Sequence, residues 1–299
     1  MRFLLIAALL ATVPMLPAAA APVAVEAMTS PTYEFTVGAL RVTALNDGET
    51  TRPNDGKTLS PKEGVAKVLA SAGLPTDSFK LSYGGLLVRD GTRLVLIDTG
   101  IGAAGAPDGG HLLGALAATG VRPEQITDII ISHPHGDHVG GLADAKGTAV
   151  FPRARMWFDM AAWAALKANA GAAPLVAAIT PHLTPIPASG AIAPGIRATR
   201  IAGHTPGHIG VAIESRGQKL LYIGDTMHSY VASVAAPDLD MAYDADGPTA
   251  KASRKALLAR AADQHLRLYA PHFPFPGLGT IRRDGASYAW VPELSPVFP

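Results

Sequence analysis

Ser132-His133-Pro134-His135-Gly136-Asp137-His138 places three imidazoles and a carboxylate within six consecutive positions, 133–138. The segment follows Asp128-Ile129-Ile130-Ile131, an apolar β-branched run that reads as a buried strand closed by a turn. Imidazole nitrogens and carboxylate oxygens are the usual ligands of catalytic first-row metals. Alternate residues of an extended segment point the same way, so His133 and His135 can share one ion. Asp137 and His138 stand where the chain turns and can reach a second. A chance histidine cluster or a nickel-binding surface patch is the competing reading. Four ligand-type side chains directly after an apolar strand count against it.

The rest of the chain repeats the pattern. His204 stands in Gly203-His204-Thr205-Pro206-Gly207-His208, after the alternating run Ile196 to Ile201. Asp225 ends Leu220-Leu221-Tyr222-Ile223-Gly224-Asp225-Thr226, and His272 ends Leu268-Tyr269-Ala270-Pro271-His272. Each candidate ligand follows a hydrophobic strand, the place where layered α/β proteins carry their sites.

This ordered set of motifs, with Leu96-Ile97-Asp98-Thr99-Gly100 upstream, resembles the metallo-β-lactamase superfamily over about residues 33–290. A narrower likeness is to the exported methyl-parathion-hydrolase-like and lactonase-like branch. It rests on Arg41-Val42-Thr43-Ala44-Leu45-Asn46-Asp47-Gly48, on His138-Val139-Gly140-Gly141-Leu142, and on Phe275-Pro276-Gly277-Leu278-Gly279 with Ile281-Arg282. Pro134 stands where that family usually carries Leu, Met, His or Thr.

The resemblance implies an α/β protein, one αββα sandwich of two similar halves. The first half would end near the 133–138 loop and the helix after it, and the second would begin at about Arg197. It implies that His133, His135 and His204 hold one divalent ion, that Asp137, His138 and His272 hold another, and that Asp225 bridges them. Zinc is the default metal, with manganese, iron and cobalt as alternatives. Two such ions would acidify a bridging water, and Asp137 would orient the resulting hydroxide for attack on a lactone or aryl ester. Phosphotriester hydrolysis would be a main or side activity. A bridging carboxylate such as Asp225 is typical of these hydrolases and generally absent from true β-lactamases. His135 stands where the flavodiiron branch carries Glu. Asp98 and His208 would orient ligands from behind. The rivals are a glyoxalase-II-like thioesterase, a β-lactamase, and an exported metal- or ligand-binding protein without turnover.

Candidate substrate-pocket residues are Phe273 and Phe275 beside His272, Trp157 and Phe158 with Trp163, and His228 and Tyr230 after Asp225. Core packing competes with the pocket role for the aromatic residues, and an ordinary surface position competes with it for His228 and Tyr230.

Bulk properties narrow the partners. With 299 residues, 48% of them hydrophobic, the chain can bury a large core. Its formal charge is +1 and no Lys/Arg run exceeds two, so it carries no electrostatic footprint for nucleic acid. The substrate is expected to be a small ester, lactone or phosphotriester. Met1-Arg2, the apolar run Phe3 to Leu16 and Ala18-Ala19-Ala20 read as a signal peptide over 1–20. A leader over 21–32 and the hydrolase domain over 33–299 follow. A membrane anchor is the alternative, disfavoured by the shortness of the run, by Pro14 and Pro17, and by the lack of a Cys for lipidation. The protein is therefore expected to be exported, periplasmic or secreted, without stable membrane insertion. The absence of cysteine removes disulfides and leaves only N and O metal donors. Apolar hairpin edges suit a homodimer.

Periodicity and turn residues predict hairpins at Tyr33–Val37 with Arg41–Asn46, Gly85–Arg89 with Arg93–Asp98, and Val211–Glu214 with Lys219–Ile223. Helices are expected over Pro61–Ala72, His111–Thr119, Met160–Ala168 and Thr249–Ala262, the last capped by Thr249. Residues 47–82 read as a polar stretch with Gly and Pro around that first helix, and the Pro/Ala/Gly-rich residues 169–195 read as a long surface excursion.

Overall fold

The computed structural model describes residues 30–102 and 109–293. The expected signal peptide over 1–20 lies outside the described residues.

Two seven-stranded sheets stack face to face. The first runs in the order Thr32–Val37, Leu40–Pro53, Ser78–Asp90, Arg93–Ile97, Asp128–Ile130, Arg155–Phe158, Leu183–Pro185. The second runs Ser287–Pro292, Leu278–Asp284, Leu268–Tyr269, Gln218–Tyr222, Ile209–Ser215, Ile196–Arg200, Ala191–Ala193. Alternation sets the layering. Val42, Leu86, Val88, Val95 and Ile97 of the first sheet meet Val211, Ile213, Leu220 and Tyr222 of the second in one buried core. The opposite faces are covered by helices. Leu112, Leu116, Trp163, Leu166 and Ile179 pack on Leu87, Leu96, Ile129 and Ile131, while Leu257, Leu258 and Ala261 of the helix Gly247–Asp263 pack on Leu221, Leu268 and Ile281. Among the described residues, no single helix is long and apolar enough to cross a membrane; the one bent pair that passes by composition, Met160–Ala168 with Ala170–His182, lends Trp163, Leu166 and Ile179 to the core outside the first sheet.

Four expectations are corrected. The passage between the halves falls near residues 186–190, not near the 133–138 loop, because the first sheet continues through Arg155–Phe158 and Leu183–Pro185. Within 169–195 lie the helix Ala173–Ile179 and two strands that finish the edges of both sheets. Residues 47–82 hold strand at both ends as well as the helix. Leu40–Pro53 runs on for fourteen residues, with a register shift between Asn46 and Gly48, and pairs with Ser78–Asp90. Its polar Thr50, Thr51 and Arg52 hide the alternation, which Phe79 and Leu81 on the partner strand supply. The last helix is capped by Asp246, whose side chain accepts the Thr249 N–H; Thr249 is therefore the recipient of a cap and not the cap itself.

Candidate metal centre

The candidate ligands leave the ends of strands in both sheets. Asp128–Ile130 feeds the first loop. There His135 is the extended residue before the short helix Gly136–Val139, which carries Asp137 and His138. Ile196–Arg200 feeds His204, Gln218–Tyr222 feeds Asp225 and Leu268–Tyr269 feeds His272. Two glycines permit the approach. Gly203 has φ +119 with the backbone of Ala250 against it, and a Cβ on Gly224 (φ +50) would sit 2.5 Å from Nε2 of His208.

The seven side chains converge into two clusters, His133–His135–His204–Asp225 and Asp137–His138–Asp225–His272, with Asp225 common to both. In the first, Nε2 of His133, Nδ1 of His135 and Nε2 of His204 are mutually 3.0–3.2 Å apart. Oδ2 of Asp225 is 3.4 Å from the nitrogens of His133 and His204. In the second, Nε2 of His138 lies 3.2 Å from Oδ1 of Asp225 and 3.6 Å from Asp137, while Nε2 of His272 lies 3.0 Å from Asp225 and 3.7 Å from Asp137. Four ligands at about 2.0–2.1 Å from a tetrahedral ion stand roughly 3.3 Å from one another, so these spacings fit zinc-like coordination. Two buried atoms sharpen the fit: Nε2 of His138 and Oδ1 of Asp225 face each other without a hydrogen bond, as lone pairs aimed at a common ion would. The donor set is nitrogen and oxygen throughout, suited to two divalent cations.

The far side of four of the five imidazoles is fixed. Nδ1 of His138 donates to Asp98 (2.7 Å), Nδ1 of His204 to Asp244 (2.8 Å), and Nδ1 of His272 to the Ser82 carbonyl (2.9 Å). Each bond leaves Nε2 as a free lone pair pointing at the cluster. Ser132 Oγ donates to Asp98 (2.6 Å) and so accepts from Nδ1 of His133 (3.0 Å). Asp98 also accepts the Ser132 N–H and the Tyr222 hydroxyl, at 2.7 and 2.6 Å, and holds φ at +58 to do so. His208 donates to the Ile201 carbonyl and accepts the Asp225 N–H at 3.0 Å, fixing the backbone of the shared ligand.

Electrostatics follow from burial. Burial pushes His208 down to about 4 and His133 well below its ordinary value, so both imidazoles stay neutral. Burial raises the Asp225 carboxyl, but the imidazoles around it, His138 and His272 foremost, outweigh it and hold Asp225 well below the usual range.

The pocket candidates separate. Trp157 and Phe158 are core residues: the Trp157 indole donates to buried Asp128 at 2.9 Å, and Phe158 packs edge-on against Trp163. Phe273 is enclosed by Trp290 and Tyr230, and Phe275 belongs to the core between the sheets. All four face inward because strand pairing and sheet packing, not nearness to a ligand in sequence, set their direction. Tyr230 lines a cavity of about 360 Å³ with Leu69, Leu74, Phe79 and Lys80. His228 is buried, not at the surface. Its Nε2 lies 3.2 Å from Asp225, its ring stacks on His272 at 5.0 Å, and its Nδ1 is buried without a partner. Burial takes its pKa to about 4. Asp244 escaped the sequence reading, as did Arg254, which is fully buried and pairs with it at 3.0 Å. Neither belongs to a motif. Arg254 is a buried charge on the helix Gly247–Asp263, and Asp244 lies just before that helix.

Solved structures share this architecture. AidC, described as a dizinc quorum-quenching lactonase in complex with a product, N-hexanoyl-L-homoserine, is 28% identical with a TM-score of 0.83, the match covering 89% of this chain and 98% of that one. The hydrolase AbOPH, described as in the beta lactamase superfamily, is 28% identical with a TM-score of 0.80, covering 90% and 99%. A probable metal-dependent hydrolase from Staphylococcus aureus shares the fold at 21% identity and a TM-score of 0.73, covering 88% and 100%. The family model for the metallo-beta-lactamase superfamily matches residues 85–272, from within the strand Ser78–Asp90 to the last candidate ligand, His272. With more than half its length matched and both ligand clusters assembled, the chain belongs to the metallo-beta-lactamase superfamily, a metal-dependent hydrolase by fold and by site.

Proposed function

We propose that the protein is an exported dizinc lactonase that opens the ring ester of lactones and also cleaves aryl esters. One observation carries the reading: two four-ligand clusters share the carboxylate of Asp225. The likeness to a dizinc lactonase at 28% identity over most of both chains supports the choice of a ring ester. Export rests on the signal-like segment over 1–20.

When bound, two divalent ions supply Lewis acidity that activates water and polarises a carbonyl oxygen. The chain's own residues provide the rest. Asp98, Asp244 and the Ser82 carbonyl hold three imidazoles in the tautomer that presents Nε2. Asp225 stays ionised in a buried setting. Asp137, with a quarter of its side chain exposed, stands on the open side, where it can orient a water and accept its proton.

The test is turnover of an aromatic lactone against an aryl phosphotriester, by protein beginning at Ala21 and loaded with zinc or manganese. Lactone preference by orders of magnitude is the expected result. Preference for the phosphotriester would assign the site to tetrahedral phosphorus. Two bound ions without hydrolysis of lactone, ester, thioester or β-lactam would make it a binding protein.

A further inference from the structure

The strands Leu40–Pro53 and Ser78–Asp90 bring Arg52 opposite Phe79, so Arg52 shares a face with Leu81 and Tyr83. That face looks toward the metal centre: the Tyr83 ring packs edge-on against His272, centroids 5.7 Å apart. Nη2 of Arg52 donates to the Tyr83 hydroxyl at 3.5 Å, the outer limit of a hydrogen bond, and its Nε is buried without a partner. From a third segment Tyr243, 43% exposed, places its ring 6.5 Å from His135 and 6.4 Å from His228. Burial alone would lower the Arg52 pKa, but the bond to Tyr83 and the charges of Tyr83, Tyr243 and Asp137 raise it overall. Arg52 thus stands beside Tyr83, the residue whose ring packs against His272.

A purely structural arginine spends its donors. Arg254 does, with bonds to the carbonyls of Thr226, Pro237 and Leu239 and to Asp244. Arg52 has five N–H groups to offer, and among the described residues it uses one of them, weakly. Leaving the buried Nε of Arg52 without a partner costs stability, and a ligand acceptor there would recover it.

We infer that Arg52 is a specificity residue that donates to an acceptor oxygen beside the scissile ring ester, such as the amide carbonyl of an N-acylated lactone, with Tyr83 and Tyr243 flanking the bound group. The inference rests on the lactonase reading above. It selects substrates that carry a second carbonyl over bare lactones.

The experiment compares N-hexanoyl-L-homoserine lactone with γ-butyrolactone, which lacks the amide, using the metal-loaded protein and its Arg52→Met and Arg52→Lys variants. Arg52→Met should lower kcat/KM on the N-acyl lactone roughly 10- to 100-fold, the loss of a hydrogen bond from a charged donor, mostly through KM. On γ-butyrolactone the change should stay below about threefold, the scale of an uninvolved surface substitution. Arg52→Lys keeps the apolar stem and one charge, so it should lose less, again only on the N-acyl lactone; if Arg52→Met does not fold, this variant carries the comparison. Metal content should be unchanged in each. Equal losses on both lactones would overturn the inference, as Arg52 would then act on the ions or the fold. No loss on either would overturn it as well. Turnover of neither lactone by the unsubstituted protein would overturn the lactonase reading and this inference with it.

Discussion

Behind His138 and behind His204 the fold places an aspartate, and the two aspartates are held in unlike ways. Asp98 collects neutral donors, the Tyr222 and Ser132 hydroxyls and the Ser132 N–H, besides His138 itself. Asp244 gives one oxygen to His204 and the other to Arg254, whose side chain is as buried as its own. One ligand is thus backed by a carboxylate solvated by hydrogen-bond dipoles, the other by a buried ion pair. The same task, fixing an imidazole tautomer, is done at different risk. Losing an acceptor strands neutral donors, whereas losing half of a buried ion pair strands a charge.

Variants can break this comparison. The largest effect belongs to the residue both clusters share. Asp225→Ala should take the metal content below one ion per chain and turnover to background, read by elemental analysis and lactone kinetics together. Full activity would remove the shared-ligand account. Next comes Asp244→Ala, expected to destabilise the fold by about 3–5 kcal/mol because Arg254 stays buried and unpaired. Affinity for the ion at His204 should fall about 10- to 100-fold at the same time. Denaturant melts and metal titration measure the two losses.

Asp98→Ala should weaken the ion at His138 by a similar roughly 10- to 100-fold factor. Its stability cost comes from neutral donors alone, about 1–3 kcal/mol for each one left without a partner, and includes no stranded charge. Removing Arg254 as well, in Asp244→Ala/Arg254→Met, should recover part of the Asp244→Ala loss, and no recovery would show that the distinction between dipoles and ion pair has no energetic content. The smallest effect is expected for Ser132→Ala, about 0.5–1.5 kcal/mol with both ions retained, since it removes one hydroxyl linking His133 to Asp98. Loss of an ion in Ser132→Ala would make the hydroxyl a larger part of the support than Asp98 itself.

The two supports also differ in how far they could be read from sequence. Asp98 ends an apolar strand inside a recognisable turn, and His208 lies within a ligand loop, so local pattern pointed to both. Asp244 and Arg254 carry no such mark. Arg254 is on the helix Gly247–Asp263, whose composition reads as solvated, and its burial is a consequence of tertiary packing beneath Thr226 and Leu239. Arg52 was hidden for a related reason: its polar neighbours Thr50 and Thr51 disguise a strand that exists because Phe79 and Leu81 lie across from it. His228 shows the converse. A histidine three positions past a ligand reads as a surface residue until the turn at Gly224–Thr226 folds it back over Asp225. Trp157, Phe273 and Phe275 were drawn toward the site by nearness in sequence, but pairing and packing direct them into the core. Motifs at strand ends are local and legible. The supports and the rim are assembled from distant segments and become visible only in the fold.

The central claim is that one carboxylate joins two ligand sets into one centre. Anomalous diffraction at the zinc edge from zinc-loaded crystals tests it most directly. The account predicts two peaks roughly 3.5–4 Å apart, as in other two-metal sites. One should be bonded to His133, His135 and His204, the other to Asp137, His138 and His272, with Asp225 touching both. A single peak at full zinc loading, or two peaks of which one lies away from Asp225, would contradict it.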